Sequence, residues 1–282
     1  MSDIVLNSVI TLSAMGTAAS VILFLVAKKF HVHEDPRIDL VEEALPAANC
    51  GGCGFPGCRA FAEALVKADD ITDLNCPVSN KEDMDKISSI LGKELGEKDP
   101  LVAVVRCAGS PDKRPKTSIY DGAATCTIVS SLYTGDTGCP HGCLGMGDCV
   151  DVCNFDAIYM NPETGLPEVN DEKCTACNAC VVACPRIIIE LRKKNKKDRK
   201  IYIACINEEK GGVARKNCKV ACIGCGKCVK VCPYEAIEME NNLACIDATK
   251  CRLCRKCAPE CPTGAILEIN FPERKKKEEA SV

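Results

Sequence analysis

Apolar and polar positions change rhythm several times along this chain. Residues 4 to 27, IVLNSVITLSAMGTAASVILFLVA, carry no charge. As a helix the run measures roughly 36 Å, enough to span a bilayer with some tilt. Asp3 precedes it, and Lys28 and Lys29 follow. Basic flanks stay cytoplasmic, so the pattern predicts a single-pass anchor in the inner (cytoplasmic) membrane with residues 28 onward in the cytoplasm. A cleaved signal peptide would place positive charge before the run, the reverse of the order found. HVHEDPRIDLVEEALPAA then reads as a polar, partly helical connector, expected to let the cytoplasmic part swing. His31 and His33 there have no evident partner. After Cys58, Phe61, Ala64, Leu65 and Ala68 recur at helical spacing. Met84, Ile87 and Leu91 share the face of another helix, which Ser79 and Glu82 would open as a capping box. Further on the helical period gives way to short strand-like runs: DAIYM (156–160), RIIIEL (186–191), EAIEM (235–239) and GAILEI (264–269).

Composition decides what these elements enclose. The 282 residues include 25 cysteines and no tryptophan, so a large aromatic core is excluded. So cysteine-rich a chain is a disulfide scaffold or a metal protein. A reducing cytoplasm favours metal ligands. The net charge of −3 argues against nucleic acid as partner. LRKKNKKDRK (191–200) holds seven basic residues. It reads as a solvated loop between modules or as a docking patch for an acidic partner. The tail FPERKKKEEASV reads as disordered.

The cysteine spacings carry the chemistry. Cys50, Cys53, Cys58 and Cys76 are spaced C-x2-C-x4-C-x17-C around a glycine-rich turn. This suits a [4Fe-4S] cluster, with zinc as the rival. Cys174, Cys177, Cys180 and Cys184 follow C-x2-C-x2-C-x3-C and precede Pro185. Cys222, Cys225, Cys228 and Cys232 repeat this before Pro233, and Cys251, Cys254, Cys257 and Cys261 before Pro262. In bacterial two-cluster ferredoxins three cysteines of such a run hold one cluster and the fourth reaches the other. Three occurrences leave little room for zinc.

A fourth run is diverged. GCPHGCLGMGDCVDVC (138–153) aligns with NCKVACIGCGKCVKVC (217–232). Cys139 matches Cys218, Cys143 matches Cys222, Cys149 matches Cys228 and Cys153 matches Cys232, while Met146 stands where Cys225 should match and Asn154 where proline would. Two ferredoxin-like modules result. In the second, Cys222, Cys225, Cys228 and Cys261 form one set and Cys232, Cys251, Cys254 and Cys257 the other. In the first, Cys153, Cys174, Cys177 and Cys180 form an intact set. Cys143, Cys149 and Cys184 lack a fourth member. Cys139 is expected to swing in and complete a [4Fe-4S] site; the alternatives are a three-ligand [3Fe-4S] site and, least favoured, the Met146 thioether. Of the remaining cysteines, Cys107 and Cys205 end apolar runs ahead of the modules. With Cys126 and Cys218 they either form a sixth cluster site or are buried thiols. Cys245 reads as a core residue. At least five clusters are expected, possibly six.

The order of parts, a membrane helix, then CGGCGFPGC…CP, then ferredoxin modules, resembles the B subunit family of the Rnf complex, in its longer form. The resemblance covers nearly the whole chain. It implies a non-catalytic electron-transfer protein alongside other membrane-complex subunits, taking electrons from soluble reduced ferredoxin in a complex that reduces NAD and exports Na+ or H+. No glycine-rich dinucleotide fingerprint lies between a strand and a helix, in keeping with nicotinamide and flavin sites on partner subunits. The other readings are a membrane-anchored polyferredoxin of a hydrogenase or another reductase complex, and a cluster-based sensor. No acid, base or nucleophile is called for. The expected fold is α+β: anchor 1–29, connector 30–45, four-cysteine domain 46–98, first ferredoxin-like module with its extension 99–190, basic linker 191–216, second module 217–270 and tail 271–282.

Overall fold

The computed structural model describes residues 2–29, 35–94, 96, 99–132, 135–195 and 197–274; His31, His33 and the tail beyond 274 lie outside them. The first helix, α1 (Ser2–Lys29), contains an apolar span Val5–Val26 of mean hydropathy 2.2, none of it buried within the chain. Side chains such as Leu12, Met15, Leu23 and Phe24 stand exposed. So long an apolar surface calls for lipid around it.

Three helices build the next domain: α2 (Arg37–Ala44), α3 (Cys58–Lys67) and α4 (Lys81–Leu91). Ile38, Val41 and Leu45 enter one core with Phe61 and Leu65 of α3 and Met84, Ile87 and Leu91 of α4. Residues 37–45 are therefore not a connector but the first layer of this domain. Their short apolar stripe is diluted by acidic neighbours, which hides it from a reading of polarity alone. Asn80, not Ser79, opens α4, its Oδ1 accepting the Asp83 amide at 2.8 Å. The Asn49 side chain accepts the Cys58 amide at 2.8 Å, so the glycine-rich turn is closed onto the start of α3.

The remainder repeats one plan twice. In the first module β1 (Leu101–Val105) is followed by α5 (Cys126–Leu132), α6 (Asp148–Asp151), β2 (Ile158–Met160), β3 (Pro167–Val169), α7 (Ala179–Ala183) and β4 (Ile189–Lys193). In the second, β5 (Lys200–Ile203) is followed by α8 (Gly211–Asn217), α9 (Lys227–Lys230), β6 (Ile237–Glu240), β7 (Leu243–Ile246) and β8 (Ile266–Ile269). The outer strands pair antiparallel, Val105 opposite Ile189 and Ile203 opposite Ile266. The inner strands form the hairpins β2–β3 and β6–β7. The expected basic linker 191–216 is thus largely structured. Its start finishes β4, Ile201 and Ile203 of β5 and Ala214 of α8 lie in the second module's core, and that module begins near residue 200. Long basic side chains occupy strands by laying their stems along apolar surface, so charge did not exclude strand here.

The modules are stitched together. Val104, Tyr202 and Ala204 share a small core between the outer sheets. Arg106 donates to the carbonyls of Ile203 and Cys205 and pairs with Glu190 at 3.2 Å. Arg192 donates to the carbonyls of Ile201 and Ile246. The Asp171 carboxylate binds buried Lys200 at 2.5 Å, and its carbonyl accepts from Lys194. The N-terminal domain meets the first module at Gly52, where a Cβ would lie 2.8 Å from the Cys177 carbonyl oxygen.

Asp171→Ala leaves the Lys200 charge buried and unpaired, an expected cost of about 3–5 kcal/mol, most of it recovered on adding Lys200→Met. Thermal melts of the anaerobically purified chain compare the three. Gly52→Ala is expected to loosen the domain contact by about 1–3 kcal/mol. Faster hydrogen exchange at residues 50–53 and 174–180, with α4 unchanged, is the readout.

Candidate metal centres

Four pockets lie in the two modules, each walled by four cysteines and apolar side chains. One is lined by Cys153, Cys174, Cys177 and Cys180. Another has Cys222, Cys225, Cys228 and Cys261, and a third Cys232, Cys251, Cys254 and Cys257. These are the sets expected from the spacing, each drawing one cysteine from the companion run. Four thiols with apolar walls, three from one short run and one from its companion, suit an iron–sulfur cluster.

The fourth cavity holds Cys143, Cys149 and Cys184, and its fourth cysteine is Cys126, not the expected Cys139. Asp148 explains the placement. Its carboxylate accepts the amides of Cys126 (2.7 Å) and Thr127 (3.1 Å) and fixes the start of α5 beside the α6 turn. Burial raises the Cys126 thiol, while the Asp148, Met146 and Gly147 backbone draws it the other way, which places that thiol near position 146. The Met146 side chain is not part of the cavity wall.

Cys139 lies elsewhere, with Cys107, Cys205 and Cys218. The electrostatic neighbours of the Cys139 thiol include Cys107, those of Cys218 include Cys107 and Cys139, and those of Cys205 include Cys139. Buried Asn207 ties the group, its amide donating to Cys205 Sγ at 3.4 Å and its side chain to Cys139 Sγ at 3.7 Å. The expectation of Cys107, Cys126, Cys205 and Cys218 therefore exchanges one member, Cys126 for Cys139. A signal for this was present. Cys139 matches Cys218 in the internal repeat, and Cys107 and Cys205 hold like positions ahead of the modules, so each repeat supplies the same pair. Cys126 has no such counterpart.

In the N-terminal domain Cys53, Cys58 and Cys76 pack on one core, and the Cys50 thiol feels both Cys76 and Cys177. Cys245 lies in β7, outside the cysteine-lined cavities, packed against the second module's core.

Burial dominates the electrostatics. It pushes the thiols of Cys143, Cys149, Cys205 and Cys257 up to about 12, and those of Cys180 and Cys228 to about 11. Such thiols ionise only when positive charge arrives, which iron supplies. Part of that charge is built in: Arg114, 9% exposed with no partner for Nε, draws Cys139, Cys143 and Cys218 the other way. Backbone amides of Ala157, Ala236 and Ala265 donate to Cys153, Cys232 and Cys261 at 3.3 to 3.4 Å, the same bond in three runs. At Cys261, burial is outweighed by hydrogen bonds from Thr263 and from the Ala265 and Ile266 backbone, and the thiol is held below its ordinary value.

Comparison with known proteins agrees. A family model described as "Putative Fe-S cluster" matches residues 45–78. A "4Fe-4S dicluster domain" model matches 138–188 and 221–265, and a second model of that description spans 173–237. The B subunit of the Na(+)-translocating ferredoxin:NAD(+) oxidoreductase complex of Acetobacterium woodii is 42% identical over 94% of this chain and 78% of its own length. The B subunit of the ion-translocating oxidoreductase complex of Methanosarcina acetivorans is 39% identical over 94% of this chain and 99% of its own. The counterpart from the proton-translocating ferredoxin:NAD(+) oxidoreductase complex of Clostridium ljungdahlii is 37% identical, over 94% and 93%. With its apolar N-terminal helix and its dicluster modules, the chain belongs to the B subunit family of Rnf-type ion-translocating oxidoreductase complexes, as a membrane-anchored iron–sulfur electron-transfer protein.

Proposed function

We propose that this protein holds six [4Fe-4S] clusters in one succession. The ligand sets are Cys50, Cys53, Cys58 and Cys76; Cys153, Cys174, Cys177 and Cys180; Cys126, Cys143, Cys149 and Cys184; Cys107, Cys139, Cys205 and Cys218; Cys222, Cys225, Cys228 and Cys261; and Cys232, Cys251, Cys254 and Cys257. Each bound cluster supplies reversible one-electron chemistry, with its potential set by charge, hydrogen bonds to sulfur and exposure.

The observation that carries this reading is that cysteines of successive sets are electrostatic neighbours, with one hydrogen bond linking two of the sets. Cys50 neighbours Cys177. Cys180 neighbours Cys149. The Cys143 amide donates to Cys107 Sγ at 3.5 Å. Cys205 neighbours Cys222, and Cys228 neighbours Cys257. Without the Cys107, Cys139, Cys205 and Cys218 set the row would be interrupted between the modules. The chain's own part is to supply thiolates, N–H donors and the Arg114 charge and to hold the spacing; it provides no acid, base or nucleophile.

In this reading soluble reduced ferredoxin donates the electrons, partner subunits pass them to NAD+, and the complex exports Na+ or H+, as the names of the relatives suggest. The soluble part lies on the cytoplasmic side of the inner membrane, behind Lys28 and Lys29.

Anaerobic preparations are expected to contain about 24 irons and as much sulfide per chain, falling to about 20 in Cys205→Ala. A count near 20 in the unaltered chain, or one indifferent to Cys205, would sink the site between the modules. The oxidised chain is expected to lack a [3Fe-4S] EPR signal and Cys126→Ala to acquire one; a signal that ignores Cys126 and follows Cys139 would restore the other assignment.

A further inference from the structure

We propose that the open groove over Cys254, at the far end of the second module, is the docking surface for an acidic one-electron carrier protein. The inference rests on the reading that Cys232, Cys251, Cys254 and Cys257 hold a cluster. That set is the last in the proposed succession, next to the set of Cys228. Cys254 is exposed, whereas most of the chain's cysteines are buried or half-buried. It lies in a groove walled by Val231, Arg255, Lys256, Pro259, Glu260 and Arg274.

Charge identifies the occupant. Lys227, Lys230, Arg252 and Lys256 are exposed on the two cluster-binding runs of this module, and among the described residues none makes an ion pair. Arg255 and Arg274 share the single carboxylate of Glu268. In the alignment of the two modules, Lys227 stands opposite Asp148 and Lys230 opposite Asp151. The run 174–184 carries no charge, while its counterpart 251–261 carries Arg252, Arg255 and Lys256 against Glu260. One fold thus tolerates either sign on these runs, and positive charge is gathered where a cysteine reaches the surface. Apolar Val231 and Pro259 in the groove and half-exposed Tyr234 beside it give the apolar centre that a charged rim surrounds in protein interfaces.

Most described basic residues of the other basic segment, 191–200, are engaged within the fold. Lys193 pairs with Asp99, Lys194 with Asp198 and Lys200 with Asp171, and Arg199 lies over the Phe271 ring. Arg192 is bound to Glu190 and to carbonyls of the second module.

The test is stopped-flow reduction of the full, cluster-loaded chain in detergent by reduced two-[4Fe-4S] ferredoxin, across a salt series. In the triple variant Lys227→Glu, Lys230→Glu, Lys256→Glu the second-order rate constant at low salt is expected to fall roughly 10-fold or more and its salt dependence to flatten. Iron content and reduction by methyl viologen are expected to stay unchanged. Lys193→Glu with Lys197→Glu is expected to leave the ferredoxin rate as it was. Wild-type kinetics in the triple variant, or loss confined to the 193/197 variant, would overturn the docking site. Failure of the unaltered chain to be reduced by viologen would overturn the cluster reading beneath it.

Discussion

Two cysteines from each ferredoxin-like module face one another where the modules meet, and this shared group constrains the rest of the molecule. Cys107 and Cys139 come from one repeat, and Cys205 and Cys218 from the other. They stay together only if the modules keep a fixed relation. The interface is built for that. Arg106 and Arg192 reach from the outer strands of the first module to carbonyls of the second, and Asp171 holds Lys200 in a buried pair. Charged groups buried this way add little net stability, but they penalise every arrangement that separates them. Packing of Val104 against Tyr202 and Ala204 would permit sliding; directed bonds to named carbonyls do not.

The cysteine sets are held in apolar surroundings that suppress thiolates. Burial raises the thiols of Cys143, Cys149, Cys205 and Cys257, and the counterweights are few: the buried Arg114 guanidinium and the repeated amide-to-sulfur bonds. Such sites are organised for an occupant that brings positive charge and fills a void. In the first module, where Met146 stands in place of cysteine, Cys126 from a separate helix lines the pocket, and the Asp148 carboxylate accepts the amides at the start of that helix.

The two modules share strand pairing, turn geometry and cysteine placement, yet their cluster-binding runs differ in charge. Fold and surface have diverged independently, since side chains on these short turns bear little on the core.

Much of this was legible in the sequence because the relevant interactions are local. Thiols spaced by two and three residues must surround one void with their companion run, so the three intact ferredoxin-type sets followed from spacing. An uncharged run that long must find a membrane. Apolar periodicity gave α3 and α4 and the strands after each cysteine run. Apart from the cap of α4, where Asn80 and not Ser79 serves, the misplacements involve partners distant in sequence. Whether Ile38 and Val41 belong to a connector or a core depends on Phe61 and Leu65 being opposite them. Whether residues 191–200 are linker or strand depends on β1 and β8 offering edges to pair with. The choice between Cys126 and Cys139 turned on Asp148 and Asn207, side chains that carry no signal until the chain has folded around them. The sequence by itself determined which residues are candidate ligands and the period of each element; the tertiary structure decided which of those thiols meet, because loop closure and packing, and not proximity along the chain, bring them to a common void.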